Sequence, residues 1–192
     1  MYVHQNQLPP VVKNLLIINV LMFIGQNIFA LESFLALRPI SNGFQIHQLI
    51  SYSFLHGNIT HLFFNMFPIW LFGRSLEGAW GSKRFMNFYL LTAIGAAIIH
   101  LFFTNSGAIG ASGAVFGILA GFGMLFPNTQ LFLLFPPVPI KAKYFVIGYG
   151  LIELAYIYFE VNDGVAHHAH LGGAIIGYII IKFWNKNRNH FY

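Results

Sequence analysis

The sequence contains no cysteine, a single aspartate and very few charged residues. Charged residues make up 8% of the 192 positions and hydrophobic residues 57%, whereas soluble domains carry roughly 25% charged residues. The lack of cysteine excludes disulfides, a thiol nucleophile and cysteine-ligated metals. A catalytic pair of aspartates is excluded too, because Asp163 is the only one. The composition is that of a membrane protein.

Six apolar segments follow one another and are expected to be the helices of one domain, residues 1–192. In lipid only helices or a closed barrel satisfy the backbone, and the alternation of barrel strands is absent. Several segments are shorter than the roughly 20 residues that cross a bilayer, so each is expected to include flanking residues. The first is interpreted as an anchor, since no small-residue cleavage site follows it. The segments are Leu15–Leu31, Ile59–Phe72, Phe85–Phe103, Ala111–Phe126, Tyr144–Phe159 and Leu171–Trp184.

The basic residues predict how these segments are oriented. Nine of the ten lysines and arginines fall on one side of a six-helix arrangement, and Arg38 alone falls on the other. The positive-inside rule then places both termini in the cytoplasm, which requires an even number of spans. The net charge of +5 is accounted for by this orientation and does not indicate a nucleic-acid partner. The proline-rich link Phe135–Pro139 is expected to be a stiff cytoplasmic connector.

A serine flanked by small residues, Gly110–Gly113, opens the fourth segment. The N–H groups of a first helical turn lack intrahelical partners and can stabilise an oxyanion beside the Ser112 hydroxyl. The alternative is a small-residue helix contact without chemistry. His61, Asn65 and His170 are predicted at the same outer depth of the membrane. Polar groups there are costly and usually functional.

Glycines repeat at helical spacing on the fourth and sixth segments. Gly113 and Gly117 lie four residues apart on one, and Gly173 and Gly177 on the other. Small residues at this spacing let two helices approach closely. This packing predicts that Ser112 and His170 meet, although glycine contacts without chemistry are common in membrane helices.

Three motifs resemble those of the rhomboid family of intramembrane serine proteases. They are His61–Asn65, Gly110–Gly113 and Ala169–Gly173, in the family's order. The resemblance covers essentially the whole chain and implies a minimal form with six transmembrane helices. One departure is His47-Gln48, which stands where many members carry Trp-Arg. The family also implies that Phe-rich outer segments control access of the substrate helix.

The resemblance implies a role for each motif residue. Ser112 would be the nucleophile and His170 the general base, with His61, Asn65 and the Ser112 N–H as the oxyanion hole. No carboxylate appears near His170 in its segment, so its imidazole is expected to be oriented by packing. Asp163 is not expected to be a third member.

Two further polar residues invite interpretation. Glu153 is read as a buried structural carboxyl, hydrogen-bonded or protonated, with a proton relay as the alternative. His167 is expected nearer the surface than His170, and His168 on the opposite face of its helix.

The sequence therefore predicts a multi-pass intramembrane serine endopeptidase of the bacterial cytoplasmic membrane. It would act without a cofactor on transmembrane proteins in the lipid bilayer. An inactive relative that binds transmembrane helices is the alternative. A metal-dependent enzyme or transporter is disfavoured because no His-Glu-x-x-His motif occurs and no carboxylate lies beside the histidine cluster at ligand spacing.

Overall fold

The structure is a computed structural model that describes residues 7–132, 138–161 and 163–186. Each of the six apolar segments is helical in it. The second helix, α2, continues through a π-helical turn, Ile69–Gly73, into a further helix, Arg74–Trp80. The helices are α1 (Pro10–Phe29), α2 (Ile59–Pro68), α3 (Ser82–Phe103), α4 (Ser112–Leu125), α5 (Ala142–Tyr158) and α6 (His167–Lys186).

The helix α4 forms the centre of the bundle. All of its residues from Gly113 to Gly123 are buried, and it packs against α3 and α6. The helices α1 and α5 are peripheral and turn apolar side chains outward, such as Ile28 at 66% and Leu151 at 60% exposure. An apolar outer surface around a buried small-residue helix is typical of a protein surrounded by lipid.

Glycines bring α4 and α6 into backbone contact. A Cβ added to Gly173 would lie 1.8 Å from the carbonyl oxygen of Gly113, and one added to Gly177 would lie 3.0 Å from Cα of Gly117. Because no side chain fits between these positions, the two helices are as close as backbones allow. This contact fixes the start of α6 against the start of α4, where the candidate site lies.

The α1 helix is tied to the rest of the bundle through Glu77. Its carboxylate accepts the N–H groups of Val11 and Val12 at 2.9 and 2.8 Å and the hydroxyl of Ser82 at 2.7 Å. These N–H groups belong to the first turn of α1 and have no partner within the helix. Glu77 therefore acts as the cap of α1 from a distant point in the sequence.

Among the described helices, α1 and α3 are each long and apolar enough to cross a membrane, and α4 is a shorter apolar helix. One feature was not expected: Gln130–Phe132 (β1) and Pro139–Lys141 (β2) pair as short antiparallel strands on either side of the proline-rich link. The centre of that link, residues 133–137, lies outside the described residues.

The chain between α1 and α2 forms short helical turns at Glu32–Leu35, Ile40–Asn42, Gln48–Ser51 and Tyr52–Phe54. Gln48 is buried and ties the loop together. Its Oε1 accepts the N–H groups of Arg38 and Gln45 at 3.2 Å each, and its Nε2 donates to Phe34 O at 3.2 Å. His47 stacks on the Phe34 ring, with centroids 4.5 Å apart. His47 and Gln48 thus anchor this loop through ring stacking and hydrogen bonds to its backbone.

Candidate active site

Ser112 occupies the first position of α4, so its N–H lacks a partner within the helix. The chain reaches it through Gly110, whose φ is +119° and whose N–H donates to Tyr52 O at 2.9 Å. A Cβ at Gly110 would lie 2.7 Å from His61 Nε2 and 3.8 Å from Ser112 Oγ. Glycine is therefore required here twice, by backbone conformation and by the approach of the His61 ring to the start of α4.

The tautomer of His61 follows from its surroundings. The Gly57 N–H donates to His61 Nδ1 at 3.3 Å, and a neutral ring that accepts at one nitrogen carries its proton on the other. The N–H at Nε2 then lies beside Gly110, two residues before Ser112. Asn58 caps α2 by accepting the His61 backbone N–H at 2.8 Å, which fixes where the ring leaves the helix.

His56 packs behind His61, with ring centroids 5.1 Å apart. Gln26 of α1 holds its backbone, since the His56 N–H donates to Gln26 Oε1 at 3.0 Å and Gln26 Nε2 donates to His56 O at 2.7 Å. Burial, with a contribution from His61, lowers the pKa of His56 to about 4. The His56 ring is therefore neutral at physiological pH and adds no second charge beside His61.

Asn65 lies one turn deeper in α2 and is 3% exposed. Its Nδ2 donates to His61 O at 2.8 Å, and the amide nitrogen carries a second N–H. Its Oδ1 is buried without a hydrogen-bond partner among the described residues. One donor of the Asn65 amide is thus left for a group that enters from the cleft.

The imidazole of His170 is held by a carboxylate as well as by packing. Its ring stacks on Phe116, one turn after Ser112, with centroids 4.4 Å apart and an interplanar angle of 12°. Its Nδ1 lies 3.0 Å from Glu153 Oε1. The expectation that packing orients this imidazole without a carboxylate is therefore wrong, because Glu153 belongs to a different helix. An ionised carboxylate only accepts hydrogen bonds, so Nδ1 carries the proton and Nε2 keeps its lone pair.

His167 is buried and does not lie at the surface as expected. Its Nδ1 lies 2.6 Å from Glu153 Oε2 and its Nε2 lies 3.1 Å from Asp163 Oδ1. A hydrogen bond from the Val165 N–H and the contact with His167 lower the pKa of Asp163, so this carboxylate is ionised at neutral pH. Asp163 meets His167 rather than His170. His168 faces another way and stacks on Phe103, with centroids 6.0 Å apart.

A cleft of about 1660 Å³ joins these residues. Ser112, His170, His61 and Asn65 all line it, as does Glu153. The cleft lies between α2 and α5, and its wall is largely apolar. Its aromatic lining consists of Phe64, Phe67, Phe72, Phe116, Phe132, Phe145 and Tyr149. A few polar groups in a largely apolar cleft suit a substrate that is itself apolar.

The chain matches the family model of the Rhomboid domain over residues 43–186. It is 31% identical over 137 residues to Rhomboid protein 1, mitochondrial, of Saccharomyces cerevisiae, which covers 68% of this chain and 39% of the yeast protein. It is 30% identical over 151 residues to Rhomboid protease AarA of Providencia stuartii, and the match covers 66% of this chain and 51% of the Providencia protein. It is 26% identical over 182 residues to Rhomboid-like protein 11, chloroplastic, of Arabidopsis thaliana, and the match covers 90% of this chain and 64% of the Arabidopsis protein.

The helical fold with its apolar outer surface and the matched domain define an all-α integral membrane protein. The chain belongs to the rhomboid family. It spans between 39% and 64% of the length of the three relatives named here.

Proposed function

We propose that this chain is a serine endopeptidase that cleaves peptide bonds in or near transmembrane segments of other membrane proteins. One observation carries the proposal. Ser112 and His170 open onto one cleft, and the contact between His170 Nδ1 and Glu153 at 3.0 Å leaves His170 Nε2 free to accept a proton. The name of the Providencia relative, Rhomboid protease AarA, agrees with this chemistry.

In the first step, Ser112 Oγ attacks the carbonyl carbon of the scissile bond while His170 Nε2 takes the hydroxyl proton. His170 then gives that proton to the leaving amine, which breaks the C–N bond and leaves an acyl group on Ser112. Water deprotonated by the same nitrogen hydrolyses the ester and restores both groups. A single imidazole serves both steps because its Nδ1 keeps its proton throughout.

The oxyanion of the tetrahedral intermediate needs donors that are already in place. The Ser112 N–H, the His61 Nε2–H and the second N–H of Asn65 are the three candidates. Two belong to α2 and one to the first turn of α4, and all three residues line the same cleft. Fixed donors of this kind typically contribute 10²–10³-fold each to turnover.

Glu153 is a positioning residue in this proposal rather than a purely structural carboxyl. It contacts His170 and His167 with one oxygen each, so it sets both the tautomer and the tilt of the base. A serine–histidine pair assisted by a carboxylate from α5 is therefore proposed in place of the unassisted dyad. The stacking of His170 on Phe116 also holds the imidazole ring in this orientation.

The site also suggests how substrate reaches it. The cleft between α2 and α5 is lined by aromatic residues, and Phe63, next to the lining residue Phe64, is 58% exposed. A transmembrane helix of the substrate would unwind there and extend toward Ser112. Six spans with both termini in the cytoplasm are part of this proposal, supported by six helical segments and by the distribution of basic residues.

The relatives extend the choice of membrane beyond the bacterial cytoplasmic membrane that the sequence predicted. The named relatives come from a mitochondrion, a chloroplast and a bacterium. The bacterial cytoplasmic membrane is therefore one of three candidates, and an organellar membrane suits the same fold.

Labelling with a fluorophosphonate tests the nucleophile directly. The purified protein in lipid is expected to react at Ser112, as mapped by mass spectrometry, and the Ser112→Ala variant is expected to remain unlabelled. Labelling of another serine, or equal labelling of both proteins, would contradict the proposed mechanism. An intact fold without labelling and with tight binding of transmembrane peptides would favour the inactive helix-binding alternative.

A further inference from the structure

The base His170 and two side chains beside it have the chemistry of a metal site. Glu153, His167 and His170 each offer a ligand atom, and these atoms lie within 4.8 Å of one another. Two imidazoles with one carboxylate form a ligand set that Zn²⁺ accepts. The sequence disfavoured a metal site because no carboxylate was expected beside the histidines at ligand spacing. That expectation is wrong, since Glu153 lies there.

We propose that Glu153, His167 and His170 bind a divalent transition metal ion, Zn²⁺ in particular, and that the bound ion stops proteolysis. The ion is an inhibitor here and takes no part in the reaction. The inhibitory half rests on the proposed function, whereas the binding half does not.

The distances permit coordination with small side-chain rotations. Zn–N and Zn–O bonds of about 2.0–2.2 Å place tetrahedral ligand atoms roughly 3.3 Å apart. The two histidine Nδ1 atoms already converge on the two oxygens of one carboxylate, at 2.6 and 3.0 Å. An ion entering among them replaces hydrogen bonds between these groups and leaves the backbone in place.

Neighbouring residues hold the ligands in the required orientation. Asp163 Oδ1 lies 3.1 Å from His167 Nε2, so it can accept a hydrogen bond from Nε2–H while Nδ1 binds the ion. Carboxylates in this outer position orient metal-binding histidines and strengthen their bonds. The rings of Tyr156 and Phe116 pack against His167 and His170 at 4.9 and 4.4 Å, which restricts both imidazoles.

Charge and access also favour the site. The carboxylates of Glu153 and Asp163 together offset the two positive charges of the ion, which matters in a low-dielectric environment. Glu153, Asp163 and His170 all line the cleft, so an ion from solution reaches them without opening the helix bundle. Water in the cleft can fill the fourth position of a tetrahedral site.

Inhibition follows from the nitrogen that the ion occupies. A neutral imidazole with metal at Nδ1 carries its proton on Nε2. Nε2 of His170 then donates a hydrogen bond and cannot accept the proton of Ser112. The contact that prepares the base in the free protein is thus the contact that the ion replaces.

Binding is measured first, on the catalytically silent Ser112→Ala protein in detergent, by Co²⁺ absorption and by Zn²⁺ calorimetry. One equivalent of metal is expected to bind. Adding Glu153→Gln or His167→Ala is expected to weaken binding by at least ~10²-fold, and adding Asp163→Asn by ~10–10²-fold. Adding His168→Ala, the matched control on the same helix, is expected to change nothing. Equal affinity in all of these proteins, or no stoichiometric binding, would overturn the site.

Inhibition is measured on protein with Ser112 intact. Micromolar Zn²⁺ is expected to stop cleavage of a single-span substrate, and a chelator is expected to restore it. The His167→Ala variant is expected to cleave at the same rate with and without this Zn²⁺ concentration, although more slowly than the unmodified protein. Metal binding with undiminished cleavage would overturn the inhibitory half. A third outcome separates the two proposals. If the variants weaken metal binding as expected but the protein cleaves no substrate, the proposed function is overturned and the metal site is retained.

Discussion

The contact between α4 and α6 makes Gly173→Ala the sharpest structural test of the active-site geometry. The new Cβ would lie 1.8 Å from the carbonyl oxygen of Gly113, whereas real Cβ atoms essentially never approach within 3.0 Å. The two helices must therefore separate locally by at least the 1.2 Å difference between these distances. Ser112 lies one residue before Gly113, and His170 lies one turn before Gly173.

A misplacement of about 1 Å between reacting groups costs ~10²-fold in rate, or about 2.7 kcal/mol in the activation barrier. We therefore expect Gly173→Ala to lower kcat/KM by at least ~10²-fold in a liposome assay with a single-span substrate. Gly78→Ala is the matched control, because its Cβ would meet nothing within 4 Å. That variant should keep full activity. Gly173→Ala activity within threefold of the unmodified protein would refute the close approach of the two helices.

Three further predictions concern the base, the oxyanion donors and the topology. Glu153→Gln is expected to lower kcat by ~10–10²-fold with little change in KM, because general-base assistance is weakened while the cleft is kept; the exposed Glu160→Gln should have no effect, and a change confined to KM would reassign Glu153 to substrate binding. His61→Ala and Asn65→Ala are each expected to lower kcat by ~10²–10³-fold, whereas a binding defect with normal turnover would make both residues structural. A C-terminal reporter is expected to be cytoplasmic and one inserted at residues 105–107 external, and a C-terminal reporter on the outside would break the six-span arrangement.

Hydrophobicity and glycine spacing predicted the helices and their central contact well. All six apolar segments are helical, and flanking residues extend them as expected, since α6 begins at His167, four residues before Leu171. The spacing of Gly113 and Gly117 against Gly173 and Gly177 predicted which faces meet, because only residues without side chains permit that approach. These features depend on local composition and periodicity, which a sequence displays directly.

The role of Glu153 was not predictable from motif spacing, because it depends on contact between neighbouring helices. Glu153 precedes His170 by 17 residues, and no pattern links them. One signal was present: α5 and α6 are consecutive, and Glu153 lies five residues before the end of α5. At ~1.5 Å per residue that places it ~8 Å from the connection, about the depth of the histidines. Comparing the depths of polar residues on two consecutive helices can therefore identify such carboxylate–histidine pairs.

His167 shows a similar limit. Its position one turn before His170 predicted that it lies nearer the surface. The structure buries it against Glu153 of α5, because depth along one helix does not show which side chains a neighbouring helix covers. The loop residue Gln48 likewise acts through backbone groups of Phe34, Arg38 and Gln45, and such contacts follow from the fold of the loop rather than from residue type.

Cleavage of a single-span substrate by the purified protein in liposomes tests the central claim most directly, with Ser112→Ala and His170→Ala compared against His168→Ala. Cleavage is expected with the unmodified protein and with His168→Ala, whose ring stacks on Phe103 away from the carboxylate. It is expected to be lost in Ser112→Ala and His170→Ala while both variants remain folded. Full cleavage by Ser112→Ala would contradict the account.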